Sequence, residues 1–112
     1  MNVTTTTIKD FNVLTILDER IDAHNSAELK EYILQMLDKG EIQIVVQLEH
    51  VRFIDSSGLG ALLSGHKNAT ARSGRFVLAN IQQQVMSMFE LTRLNRVFEI
   101  YANTDEVTAA LM

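Results

Sequence analysis

Ile42-Gln43-Ile44-Val45-Val46-Gln47-Leu48, followed soon after by Phe53-Ile54-Asp55-Ser56-Ser57-Gly58-Leu59-Gly60-Ala61-Leu62-Leu63, is the passage whose reading decides the fold. The first run is dense in β-branched apolar residues, as expected of a central strand covered on both faces. The second takes an apolar strand end into an acid, two hydroxyls and two glycines, then into leucines at helical spacing. A strand that turns sharply into an amphipathic helix is the repeating unit of an α/β sheet.

The same alternation extends in both directions. Upstream, Val3 to Ile8 and Val13 to Leu17 read as strands of a hairpin turning through Lys9-Asp10-Phe11-Asn12. Thr4 to Thr7 fit a solvated strand, because threonine suits a half-exposed pleat. Asn25, followed three residues later by Glu28, has the pattern of a capping box. Leu29, Ile33, Met36 and Leu37 then recur at helical spacing, and Gly40 is a natural stop, which predicts a helix over 25–39.

Downstream, Leu59, Leu62, Leu63 and Ala69 form the inward stripe of a second helix ending at Ser73-Gly74. Phe76 to Ala79 is a strand, and Asn80 with Gln83 predicts the cap of a third helix carrying Ile81, Val85, Met88 and Phe89. Met86, Met88 and Phe89 read as core and boundary residues, not a binding box. Val97 to Tyr101 is the last strand, and Asn103 or Thr104 caps a short helix containing Val107, Ala110 and Leu111. The order ββαβαβαβα predicts one α/β domain over residues 1–112, a mixed sheet of four to five strands covered by helices.

Composition removes several functions. The 112 residues suit one hydrophobic core, and 46% apolar content with a net charge of −4 predicts a folded chain. Scattered basic residues and an acidic balance argue against nucleic acid. No stretch approaches the roughly 20 apolar residues needed to span a bilayer, and the N-terminus lacks the pattern of a secretory signal, so the cytoplasm is expected. The sequons at Asn2 and Asn68 are then chance matches. Without cysteine, thiolate metal sites and cysteine nucleophiles are excluded, and His24, His50 and His66 show no ligand spacing. No metal or cofactor is expected.

Chemistry concentrates at residues 55–60. The first N–H groups of a helix lack partners and carry the positive end of its dipole. Ser56 or Ser57 can cap them, be phosphorylated or act as a nucleophile. Gly58 and Gly60 in the first turn each cost about 1 kcal/mol relative to alanine. Close packing within the fold explains one glycine; two suggest a surface that another chain approaches. The catalytic readings fail on spacing. A nucleophile elbow needs glycine two before the serine, where Ile54 and Asp55 stand. Gly60 to Lys67 has His66 where a P-loop needs lysine, and Leu63 replaces the third glycine of a dinucleotide fingerprint. Ligands of such sheets gather at strand carboxyl ends, so the loop at 18–25 joins the loop at 49–57, and Asp22 is either a plain loop acid or a site residue.

With these residues in hand, the chain resembles the bacterial anti-sigma factor antagonists of the STAS-domain family. Phe53 to Gly60 is similar to the family's phosphorylation loop, and Arg20 to Lys30 to its other recognisable segment. Gly74 to Asn80 and Leu91 to Phe98 fit its C-terminal half. The resemblance implies a partner-switching module, not an enzyme. The unphosphorylated protein would bind an anti-sigma factor that is a serine kinase of the histidine-kinase-like ATPase fold. That kinase would phosphorylate Ser56 and let go, and a PP2C-type phosphatase would reset the switch. The implied partner surface is Asp22, Asn25, Asp55, Ser56, Ser57, Gly58, Leu59 and Gly60 on an otherwise monomeric chain. Physical reasoning leaves Ser56 and Ser57 equal; only the family position selects Ser56. Glu19-Arg20 departs from a family preference for glycine before Ile21. The alternative is a STAS structural subunit of a transport ATPase, in which Ser56 is only a cap.

Overall fold

Alternation within each strand divides the core into two layers of unequal size. In the computed structural model, which describes residues 1–111, a five-stranded sheet runs in the order β1-β2-β4-β6-β7. Its strands are β1 (Val3–Ile8), β2 (Phe11–Ile16), β4 (Gln43–Gln47), β6 (Arg75–Ala79) and β7 (Glu99–Tyr101). Only β1 and β2 are antiparallel; the other neighbouring pairs are parallel, so the sheet is mixed. Leu14, Ile16, Ile44, Val46, Phe76 and Leu78 face one side. There they pack on α1 (Ser26–Asp38), α2 (Ser56–Ala71) and α3 (Gln83–Leu91). Phe11, Val13, Val45, Val77 and Ala79 face the other side, under Val107 of α4 (Thr104–Leu111). Both faces of β4 and β6 are therefore covered along Ile44–Val46 and Phe76–Ala79, and these apolar runs follow from that.

The expected order holds, with two additions. Arg20–Ile21 (β3) and Phe53–Ile54 (β5) pair in parallel as a second, two-stranded sheet. A pair of residues is too short to display a period, so sequence reading saw only an apolar strand end at 53–54. The first hairpin is tighter than expected, because Lys9 adopts φ 53° and Lys9-Asp10 alone make the turn. The final strand starts two residues late: Arg93, at φ 62°, ends α3 and the chain makes a 3-10 turn over Leu94–Arg96.

Two caps are corrected. Asn25 precedes α1 but does not cap it, since its Oδ1 accepts the Asp22 N–H at 2.9 Å and its Nδ2 donates to the Arg20 carbonyl at 2.8 Å. Glu28 reaches the Met1 ammonium at 3.1 Å instead of closing a box. Asn80 is left-handed (φ 58°), and Gln82 stands at the cap position of α3 without a side-chain bond to it. Gly40 does stop α1, at φ +90° where only glycine is relaxed. Asn103 does cap α4, accepting the Glu106 N–H at 2.9 Å.

Candidate functional site

The small β3–β5 pairing assembles the site. Arg20 registers with Phe53 and Ile21 with Ile54, so Asp22 and Asp55 leave adjacent strands at the same level. The Asp55 N–H donates to the Ile21 carbonyl at 3.2 Å, which ties the two loops together. Ile21 and Ile54 are fully buried, and strand alternation turns Arg20 and Phe53 outward. The loops at 18–25 and 49–57 thus form one surface, as their common position at strand ends predicts.

Asp55 caps α2. It is extended (φ −107°, ψ −174°), and its Oδ1 accepts the Gly58 N–H at 3.1 Å. Neither serine is needed as a cap, which corrects the expectation that Ser56 or Ser57 plays that part. Both are exposed in the first turn, with hydroxyls and N–H groups that find no partner among the described residues. Asp55→Ala is expected to cost about 1 kcal/mol, the usual loss of an acidic cap. Urea denaturation checks this, and Asp55→Asn should retain most of the stability.

The two glycines have different surroundings. A Cβ on Gly58 would lie 2.6 Å from Ile54 Cγ1 and 2.8 Å from the Ile21 carbonyl oxygen, so this position is required by the close approach of β3 and β5. A Cβ on Gly60 would meet nothing within 4 Å. Gly60 lies four residues after Ser56, hence on the same face of α2. Ser57 shares its stripe with Ala61, which is buried. Leu59 is also buried, so it anchors the helix start from below and presents no side chain to a partner.

Asp22 is held by its own loop. Its carboxylate accepts the His24 N–H at 2.9 Å and lies 3.4 Å from Arg20 Nε and from His24 Nδ1. The His24 amide bond is the largest influence and keeps the Asp22 carboxyl below the usual carboxylate range, so the group is ionised at neutral pH. Asn25 completes the loop through its bonds to Asp22 and Arg20, a positioning part rather than a cap.

Sequence reading missed Phe53 as a surface residue. The residue is 42% exposed, and the Arg20 guanidinium sits 4.1 Å from the centre of its ring, a cation–π stack. Glu19, Arg20, Arg52, Phe53 and Gln84 line an open hollow beside the stack. The signal was present: two buried isoleucines, Ile21 and Ile54, each follow one of these residues.

The profile described as STAS domain matches residues 2–107. The anti-sigma-B factor antagonist of Staphylococcus aureus (strain NCTC 8325 / PS 47) is 27% identical over 105 residues, 94% of this chain and 96% of that protein. Among solved structures, an anti-sigma-factor antagonist (STAS) domain protein from Planctomyces limnophilus aligns with a TM-score of 0.86 at 19% identity, covering 96% of each chain. The Bacillus cell fate determinant SpoIIAA in its phosphorylated form aligns with a TM-score of 0.72 at 19% identity, covering 97% of this chain and 99% of that one. These two structural likenesses speak for the fold alone. The profile leaves out only Met1 and the end of α4, and its span takes in both loops and every strand, so the chain belongs to the STAS domain family.

Proposed function

We propose that this protein is an anti-sigma factor antagonist that binds its anti-sigma factor through the surface around Ser56 and is released by phosphorylation there. The supporting relative is the anti-sigma-B factor antagonist of Staphylococcus aureus, which matches over nearly the full length of both proteins. The observation that carries the site is the pairing of an uncapped, exposed Ser56 with a bare Gly60 on one face of α2. A hydroxyl needed for a cap would be committed; this one is free, and the next turn leaves room for another backbone. Ser57 shares its stripe with a buried alanine, which favours Ser56 as the acceptor. Asp22, Asp55 and the Arg20–Phe53 stack frame the docking surface.

The partner is a serine kinase of the histidine-kinase-like ATPase fold, which supplies ATP and magnesium, and a PP2C-type phosphatase restores the hydroxyl. This protein acts as substrate and ligand, not as an enzyme. A phosphate on Ser56 adds about −1.5 to −2 of charge next to Asp22 and Asp55. On a surface matched to a neutral hydroxyl, that charge is desolvated or meets like charge, at a cost of several kcal/mol. Each 1.4 kcal/mol is tenfold in affinity, so one phosphate releases the partner without refolding the domain.

Incubation with ATP, magnesium and the histidine-kinase-like serine kinase encoded in the same genome, followed by mass spectrometry, tests the assignment. Phosphate is expected on Ser56. Phosphate on Ser57 alone, or none on either serine, would contradict it.

A further inference from the structure

The two edges of the main sheet are guarded differently. The β7 edge has three residues, and its Glu99 bonds Arg75 of β6 at 3.0 Å and Tyr101 at 3.1 Å. The β1 edge has six residues, Val3-Thr4-Thr5-Thr6-Thr7-Ile8, with no charge, proline or bulge. Every residue from Thr4 to Ile8 is exposed, so neither α1 nor α4 covers the strand. Edge strands present unpaired N–H and C=O groups, and proteins usually block them with charge, proline, a bulge or short length.

The register shows which groups are free. A two-residue turn makes Ile8 and Phe11 the closing hydrogen-bonded pair. The Leu17 N–H donates to the Asn2 carbonyl at 2.9 Å, in keeping with bonding at every even position of β1. Alternation then points the N–H and C=O of Val3, Thr5 and Thr7 away from β2. Those three residues form a self-complementary set. Across a two-fold axis at Thr5, Val3 faces Thr7 of a second copy and Thr5 faces Thr5, none of them charged; one step outward, the Met1 ammonium that Glu28 pairs at 3.1 Å stands opposite Lys9. Threonine pairs across strands are favourable. A groove lined by Thr5, Tyr32, Gln35, Met36, Lys39 and Glu41 leaves the α1 side of the strand open to a neighbour.

We propose that β1 is a self-association edge: two copies of this chain pair their β1 strands antiparallel, centred on Thr5, and join two five-stranded sheets into one. This is independent of the Ser56 reading and departs from the expectation of a monomer. Six residues per side make an interface below the roughly 1,200–2,000 Å² of stable complexes, so the dimer is weak, with a Kd of about 0.1–1 mM.

Sedimentation velocity between about 10 µM and about 1 mM reads the association directly. The weight-average mass is expected to rise from 12.6 kDa towards twice that value. Thr5→Pro removes an outward N–H and no bond to β2, so it should remain monomeric with an unchanged circular dichroism spectrum. Thr5→Lys opposes two like charges at the axis and should also remain monomeric. A wild-type chain that stays at 12.6 kDa at about 1 mM overturns the proposal, as does either variant associating like wild type. If the proline variant does not fold, wild-type amide exchange decides. Thr5 and Thr7 should exchange more slowly as concentration rises while Thr4 and Thr6 do not change, and concentration-independent exchange at Thr5 and Thr7 overturns the proposal.

Discussion

Ser56→Asp is expected to weaken binding to the kinase about a thousandfold while leaving the protein slightly more stable. The loss corresponds to about 4 kcal/mol, within reach of one charge placed in an interface built for a hydroxyl. The opposite sign in stability follows from position. Ser56 is the first residue of α2 and exposed, and an acid in the first turn gains about 0.3–1 kcal/mol from the helix dipole. Calorimetric titration against the kinase and thermal melting separate the two effects. Ser56→Ala should bind within tenfold of wild type and never be released by ATP. A Ser56→Asp variant that keeps wild-type affinity would contradict the switch and fit the alternative of a STAS subunit that binds its partner constitutively.

The two glycines of the first turn are expected to respond in opposite ways to alanine. Gly58→Ala brings a methyl against Ile54 and the Ile21 carbonyl, and a backbone oxygen cannot rotate away. Overpacking of this kind costs about 3 kcal/mol at the upper end of its usual range, lowering the melting temperature by about 10 °C or more. Gly60→Ala meets open space and removes the entropic penalty of glycine, which should stabilise the helix by about 1 kcal/mol. Yet the added methyl projects from the face that carries Ser56, and kinase affinity should fall at least tenfold. A Gly60→Ala variant that gains stability and keeps full affinity would show that no partner approaches this turn.

Much of the architecture was legible because its signals are local. The apolar run at 42–48, the stripe Leu29, Ile33, Met36 and Leu37, and the stop at Gly40 each report what their own neighbourhood does. What escaped depends on partners distant in sequence. The pairing of β3 with β5 joins two residues to two others some thirty positions away, and neither half shows a pattern alone. The caps at Asn25 and Asn80 failed for a related reason. An asparagine side chain serves a helix, a loop or a left-handed turn, and tertiary surroundings choose among them. At the site, the sequence reading allowed packing to explain one of the two glycines, and Gly58 is the one packed, while a Cβ on Gly60 would meet open space. The identity of the cap was not legible, since Asp55, Ser56 and Ser57 are all good cap residues and only the backbone at Asp55 shows which one is used.

The most direct test of a phosphate-controlled docking surface is the dissociation constant of the complex with the kinase through one full cycle. Affinity is measured on the unmodified protein, again after complete phosphorylation, and again after treatment with a PP2C-type phosphatase. The expected result is tight binding, a loss of about a thousandfold, and full recovery, with Ser56→Ala insensitive throughout. A dissociation constant that stays the same when Ser56 carries phosphate would contradict the account.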